Sequence, residues 1–152
     1  MKDAITIRAI ATLRLAEART LANNGQPEGA FYLAGYAVEL ALKARITERL
    51  EMPWLFDESS TASADQFTGL GELRKLLKSH NILLLLAVAG LKPAYDRRKT
   101  QDKSFVKYKS LLEGWNEGIR YQLPGTKSVG DAQSFLTFLT GPNGFLQWIE
   151  KS

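Results

Sequence analysis

The 152-residue sequence has no cysteine and one histidine, His80. Without thiols the chain forms neither disulfides nor thiolate metal sites, and it has no Cys–His catalytic pair. One imidazole is also too few for a multi-histidine zinc site within a single chain. We therefore expect no metal and no other cofactor. The absence of cysteine fits a reducing compartment, so we expect a cytoplasmic protein.

Long apolar runs and phosphate-binding glycine loops are missing as well. The longest apolar run, at positions 82–89, is far shorter than the ~20 residues that a membrane-spanning helix needs. The N-terminus carries charges among its apolar residues and does not resemble a signal peptide. The glycine-containing segments 69–71 and 141–144 lack the lysine of a phosphate-binding loop. These absences predict a soluble protein that has no membrane partner.

Strand patterns are absent too, because no segment alternates apolar and polar residues over the length of a strand. The apolar residues recur at spacings of three and four, which predicts an all-α fold. The chain length indicates one domain, 1–152, and no tandem repeat is visible.

Residues 25–50 hold the most apolar pattern and predict the central helix. Pro27 and Glu28 suit its first turn. Between positions 30 and 42 the only charged residue is Glu39, and a helix this apolar is normally covered by others. Small side chains at helical spacing predict a face for close packing: Ala30, Ala34, Ala37, Ala41 and Ala44.

A second line on this helix is polar and contains Tyr32, Tyr36, Glu39 and Lys43. In one interpretation it consists of two tyrosines at the edge of the core and a Glu–Lys pair that contributes ~0.2–0.5 kcal/mol. In the other it is a polar seam that lines a ligand-binding cleft. Spacing alone favours the first interpretation.

Helix-ending residues and the spacing of apolar residues predict the helices that precede and follow the central helix. A first helix at 3–23 ends at Asn24-Gly25 and forms an antiparallel hairpin with the central helix, since the connection is so short. Residues 57–66 predict a mobile surface loop. A short helix at 70–78 follows, and we expect it to bury its leucines, Leu70, Leu73, Leu76 and Leu77.

Three further segments complete the predicted bundle. Residues 79–81 offer cap oxygens to a leucine-rich helix at 82–89. A fourth long helix runs to Tyr121. A last helix starts at a capping box of Ser128 and Asp131, and we expect Gly141–Gly144 to break or kink it. The buried stripe of the fourth helix is Phe105, Tyr108, Leu112, Trp115 and Ile119.

Residues 92–109 are the most basic part of the chain, and Arg97, Arg98 and Lys99 are consecutive there. The segment has two interpretations. It is a solvated loop that leads into the polar face of the next helix, or it is an anion-binding patch. The formal net charge of +4 is compatible with both.

His80 and Arg120 are the remaining candidate site residues. We expect the His80 ring to bond to the backbone at a helix start rather than to act in catalysis. Arg120 comes at a predicted helix end, where it caps the last carbonyls and stacks on Tyr121 or Trp115. Its planar guanidinium also suits a phosphate.

Taken in order, four segments of the chain resemble the HEPN domain. They are EGAFYLAGYAVELALKA at 28–44, SHNILLLLAVAGL at 79–91, W-x-x-x-x-R-Y at 115–121 and a final helix that ends in FLQWI at 145–149. The resemblance covers about residues 15–149. It implies an up-and-down bundle of four or five helices that pairs as a homodimer. Many prokaryotic members of that family work beside a minimal nucleotidyltransferase, as a toxin–antitoxin or nucleotide-binding pair. The resemblance therefore implies such a partner for this chain.

The sequence departs from the RNase motif that active HEPN toxins share. In those proteins an arginine, usually followed by a polar residue, precedes a histidine by about four to six positions. Arg120 matches the arginine, but Tyr121 follows it, and residues 122–128 contain no histidine. Cleavage of RNA requires proton transfer to and from a 2′-hydroxyl. The sequence offers no second acid or base near Arg120 that could carry out this transfer. We expect RNase activity to be absent.

The sequence thus supports three functional hypotheses. The leading one is a non-catalytic HEPN-like module that dimerises and binds nucleotide, RNA or a nucleotidyltransferase in a cleft between subunits. The second is a degenerate metal-independent endoribonuclease that uses Arg120 with His80, and the third is a helical adaptor that buries a partner's apolar face. The ligand-binding residues of the leading hypothesis are Tyr32, Tyr36, Glu39, Lys43, Arg97, Arg98, Lys99, Arg120 and Tyr121.

Overall fold

The computed structural model describes residues 3–57 and 69–152. Within these ranges the chain forms eight α-helices and one 3-10 helix and has no β-strand, so the all-α prediction is confirmed. No helix in the two ranges combines the length and apolarity that crossing a bilayer requires. The helices are α1 Ala4–Asn23, α2 Pro27–Arg49, α3 Leu70–Leu77, α4 Ile82–Val88, α5 Lys92–Gln101, α6 Lys103–Glu113, the 3-10 helix Glu117–Tyr121, α7 Val129–Thr140 and α8 Phe145–Lys151.

The helices α1 and α2 form the predicted antiparallel hairpin, and a Schellman motif joins them. The N–H of Gln26 donates to the carbonyl of Leu21 at 2.9 Å, and the N–H of Gly25 donates to that of Ala22 at 3.2 Å. Gly25 has φ +70°, a left-handed conformation that glycine adopts without strain. Pro27 then starts α2.

The helix α2 is the buried centre of the fold, as predicted. It packs against α1, α4, α7, α8 and the 3-10 helix, and all five alanines of its small-residue face are buried. At Gly35 the Trp115 indole lies so near the backbone of α2 that a methyl group at this position would overlap it. The Trp115 Nε1–H donates to the carbonyl of Tyr32 at 3.1 Å, which fixes the indole against α2.

The expectation that α3 buries four leucines is partly wrong. Leu70 and Leu77 are buried and Leu73 is half-buried, but Leu76 is 45% exposed. Adjacent residues of a helix point in directions about 100° apart. Leu77 faces the core, and Leu76 therefore points toward solvent. Most of the predicted mobile loop at 57–66 lies outside the described residues.

The solvated-loop interpretation of residues 92–109 is wrong, because the segment is helical. Asp102 alone separates α5 from α6, and its carboxylate accepts the N–H of Ser104 at 3.0 Å and of Phe105 at 3.3 Å. Tyr95 is the one buried residue of α5. A single apolar anchor leaves no periodic pattern in the sequence, which explains why the helix was not predicted.

The predicted fourth helix is also shorter than expected. It ends at Glu113, and a separate 3-10 helix carries Arg120. Asn116 interrupts the helix because its side-chain oxygen accepts the N–H of Gly118 at 2.9 Å, an alternative to the helical ladder. Trp115 and Ile119 nevertheless remain buried, so the apolar stripe is kept although the helix is not.

The C-terminal predictions are confirmed. Ser128 and Asp131 form a capping box, with the N–H of Asp131 donating to Ser128 Oγ at 3.0 Å and the N–H of Ser128 donating to the Asp131 carboxylate at 3.1 Å. The helix does not continue through Pro142: α7 ends at Thr140 and α8 begins at Phe145.

Candidate functional site at His80

His80 lies in the short turn between α3 and α4, where its neighbours satisfy the backbone. Asn81 caps α4 by accepting the N–H of Leu84 at 3.1 Å, and Ser79 Oγ accepts the N–H of Asn81 at 3.0 Å. The imidazole is therefore not needed as a backbone cap. The prediction that the ring bonds to the backbone is wrong for this reason.

The two ring nitrogens of His80 instead meet two carboxylates. Nδ1 lies 2.8 Å from Oε2 of Glu39, and Nε2 lies 2.9 Å from Oε2 of Glu117. The Glu39 side chain is 1% exposed, whereas those of His80 and Glu117 are 41% and 50% exposed. The imidazole thus links the buried centre of α2 to the exposed start of the 3-10 helix.

Lys43 extends this line on the buried side. Its ammonium donates to Oε1 of Glu39 at 2.7 Å, one turn along α2, and lies 5.8 Å from the centre of the Phe56 ring. Both charged residues are buried, which the spacing along the helix did not predict. In a low-dielectric interior the loss of one partner leaves an uncompensated charge.

Two cavities adjoin at His80. The first, of about 320 Å³, is lined by Tyr36 and Phe56 together with Glu39 and Lys43. The second is a groove of about 620 Å³, and both volumes lie in the range of small-molecule sites. Lys78 and His80 line both cavities. Other groove residues are Lys75, Ser79, Asn81, Asn116 and Glu117.

The two tyrosines of the polar seam have different positions. Their rings stack with centroids 6.3 Å apart, but Tyr36 lines the smaller cavity while Tyr32 packs on Trp115. Burial raises the pKa of the Tyr36 phenol, and the negative charge of Glu39 adds to the rise. Tyr36 therefore presents a neutral aromatic surface and a hydroxyl donor to the cavity.

Arg120 and Tyr121 are together but lie outside both cavities. The guanidinium stacks over the Tyr121 ring at 4.7 Å, as predicted. Desolvation lowers the pKa of Arg120, but the phenol groups of Tyr121 and Tyr32 outweigh it, and the net shift is upward. The structure thus places Arg120 with tyrosines and His80 with carboxylates.

The three consecutive basic residues of α5 also lie outside both cavities. Arg98 stacks between Phe105 and Trp148, with distances of 5.1 and 5.7 Å from its guanidinium carbon to the ring centres. Lys99 donates to Glu113 at 3.2 Å. Arg97 is exposed. Two of the three predicted ligand-binding cations are thus committed to contacts within the chain.

Sequence reasoning missed Lys75, Lys78 and Glu117 as neighbours of His80. No local pattern reveals them, because the His80–Glu39 contact joins residues that are 41 positions apart. The three residues of the line, Glu39, His80 and Glu117, come from three of the four segments quoted in the sequence analysis. These segments are 28–44, 79–91 and 115–121, and each contributes one residue.

Within the described part of the chain no group of three or more His, Asp or Glu side chains is placed to hold a metal ion. Compared with known proteins, the chain matches no protein-family model, no curated protein and no solved structure. The chemistry of the site is therefore argued from its own residues. They offer an imidazole between two carboxylates, aromatic surface on one side and lysines on the other.

Proposed function

We propose that this chain is a non-catalytic, HEPN-like module that binds a nucleotide, or the phosphate of an RNA, at His80. The observation that carries the proposal is that two cavities of different chemistry share His80 and Lys78. Tyr36 and Phe56 give the smaller cavity aromatic walls, on which a base can stack. Lys75 and Lys78 border the groove and suit a phosphate.

A second observation concerns how Phe56 is held at the cavity. Three main-chain carbonyls beside it accept hydrogen bonds from the Arg74 guanidinium. Nε donates to Leu55 at 2.9 Å, and Nη2 donates to Trp54 at 3.1 Å and to Asp57 at 3.0 Å. Arg74 is in this respect a positioning residue, because fixing the main chain around Phe56 keeps the aromatic wall in place without a ligand.

The absence of RNase activity is part of the same proposal. Concerted acid–base cleavage needs two proton-transfer groups at one phosphodiester. Arg120 contacts Tyr121 and Tyr32, whereas His80 contacts Glu39 and Glu117. The resemblance to the HEPN domain adds a homodimer and a nucleotidyltransferase partner to the proposal, and co-purification with the product of a neighbouring gene tests the partner.

The test is calorimetric titration of the protein with ATP and with UMP at low salt. We expect Lys75→Ala/Lys78→Ala to weaken binding at least tenfold, which is about 1.4 kcal/mol. The matched control, Arg19→Ala/Lys151→Ala, removes the same charge from exposed positions on α1 and α8 and should bind as the unmodified protein does. No binding of either nucleotide by the unmodified protein, or equal losses in both variants, would contradict the proposal.

A second candidate is the degenerate endoribonuclease, and the contact between Glu39 and His80 favours it. A buried carboxylate that fixes an imidazole is a common way to orient a general acid or base. The assay is cleavage of a labelled RNA in the presence of a chelator. Cleavage that disappears in His80→Gln would establish the enzyme, and the absence of cleavage in the unmodified protein would leave the binding module.

A further inference from the structure

The net positive charge of the protein is concentrated in α5 and α6. Residues 92–113 contain seven lysines and arginines and three acidic residues, a net charge of +4 that equals the charge of the whole chain. The other 130 residues hold 13 basic and 13 acidic side chains. The charge asymmetry therefore belongs to one helical hairpin.

The three acidic residues of this hairpin are already paired. The Lys92 ammonium lies 2.7 Å from Asp96 and lowers the pKa of that carboxyl group through its hydrogen bond. Asp102 caps α6 and also faces Arg98, at 3.4 Å. The third acidic residue, Glu113, accepts hydrogen bonds from Tyr95 and Lys99. All three carboxylates are thus matched with cations of the same hairpin.

Four cations of the hairpin remain, and no carboxylate of the described residues lies within ion-pair distance of them. Arg97, Lys103 and Lys107 are exposed, and Lys109 is half-buried. Lys103 and Lys107 are one turn apart on the same face of α6. The one acidic residue between positions 97 and 110 is Asp102, and its carboxylate already faces Arg98.

We propose that the outer face of the α5–α6 hairpin binds the phosphodiester backbone of a nucleic-acid strand. Clustered lysines and arginines that form no ion pair within the protein attract a regularly charged polyanion. An anionic membrane fits less well, because surface helices that bind lipid need an apolar face. On this face the exposed large apolar residue is Val106, which is 44% exposed.

The proposed surface extends the nucleotide-binding function and rests on it in part. Glu113 at the end of α6 lines the groove beside His80, so a strand that follows α6 leads toward the proposed nucleotide site. The two regions are otherwise separate, since Arg97, Lys103, Lys107 and Lys109 line neither cavity. Each can therefore be tested without the other.

The test is fluorescence anisotropy with labelled 20-nucleotide poly(U) RNA and poly(dT) DNA. We expect Lys103→Glu/Lys107→Glu to weaken binding of both strands at least tenfold. For the unmodified protein, four phosphate contacts predict a slope of about −3 for log K against log salt, and the variant should lose about half of it. The control Arg19→Glu/Lys151→Glu makes the same change in net charge on other helices and should weaken binding far less.

Equal weakening by the hairpin variant and its control would overturn the proposal, because overall charge would then explain the binding. Binding to vesicles of phosphatidylserine without binding to either strand would overturn it as well. Calorimetry with ATP separates the two proposals. Strand binding without ATP binding supports the hairpin surface and contradicts the nucleotide site, and ATP binding without strand binding does the reverse.

Discussion

The imidazole Nδ1 of His80 lies 2.8 Å from the buried Oε2 of Glu39. The opposite nitrogen, Nε2, lies 2.9 Å from Glu117. An ionised carboxylate only accepts hydrogen bonds, and a neutral imidazole has one N–H. Both contacts with ionised partners therefore require the doubly protonated ring. In the neutral ring, the contact with buried Glu39 is the more costly one to leave unmade, so we expect Nδ1 to keep its proton.

This proton assignment can be measured directly, because His80 is the only histidine of the chain. Long-range ¹H–¹⁵N correlation spectra should show the proton of the neutral ring on Nδ1. Glu117→Gln should preserve this tautomer, since it leaves Glu39 unchanged. A neutral ring protonated at Nε2 would contradict the assignment.

Removing the ammonium of Lys43 should destabilise the protein strongly. Lys43→Met leaves the buried Glu39 carboxylate without its cation, at a cost of about 3 kcal/mol. The double variant Glu39→Leu/Lys43→Met removes both charges and should recover much of the loss, even though His80 then has no buried partner. Urea unfolding measures the free energy of each variant. Equal stabilities of the single and double variants would show that the two charges are not coupled.

Gly35→Ala tests the close approach of Trp115 to α2. A methyl group at this position overlaps the indole, so we expect a loss of about 1–3 kcal/mol in the free energy of unfolding. Gly71→Ala on α3 is the matched control, because nothing lies within 4 Å of a methyl group there. It should be neutral or stabilising by up to about 1 kcal/mol, since alanine has the higher helix propensity.

The ion pair of Arg8 with Glu48 predicts part of the acid sensitivity of the α1–α2 hairpin. The Arg8 guanidinium donates to both carboxylate oxygens and holds the pKa of Glu48 below its ordinary value. A lowered pKa in the folded state means that this stabilisation is present above the unfolded pKa of about 4.3 and is lost as the pH falls through the folded pKa.

Arg8→Ala should therefore lower the free energy of unfolding at pH 7 and change it little at pH 2. We expect a difference of about 0.5–1 kcal/mol, because the pair is partly exposed and solvent screens it. Thermal unfolding at the two pH values measures the effect, and Arg19→Ala on the exposed side of α1 serves as control. A loss of the same size at both pH values would contradict the linkage.

The parts of the fold that the sequence predicted depend on local interactions. The end of α1 at Gly25, the capping box of Ser128 and Asp131 and the break at Gly141–Gly144 involve residues within a few positions of each other. Their conformations follow from backbone sterics and from hydrogen bonds to the nearest turn. The central place of α2 follows in the same way, because a helix that is apolar on nearly all sides must be covered.

The parts that it did not predict depend on competition between local and distant partners. A helix through Trp115 to Tyr121 satisfies the apolar spacing, but the side chain of Asn116 takes the N–H of Gly118 and ends the helical ladder. The sequence shows which residues are positively charged, but it does not show which side chains they contact in the fold. Arg98 stacks on two aromatic rings, whereas Arg97, next to it, is exposed.

The sequence by itself determined that this protein is all-α, that α2 is its buried centre, and that the helices break at Gly25 and at Gly141–Gly144. It also placed Glu39, His80 and Glu117 in separate segments, without indicating that they meet. Only the tertiary structure decided that His80 lies between the two carboxylates and that Lys43 is buried behind one of them. The reason is physical: the contact of His80 with Glu39 joins residues 41 positions apart, and its geometry is set by how the helices pack, which no local pattern encodes.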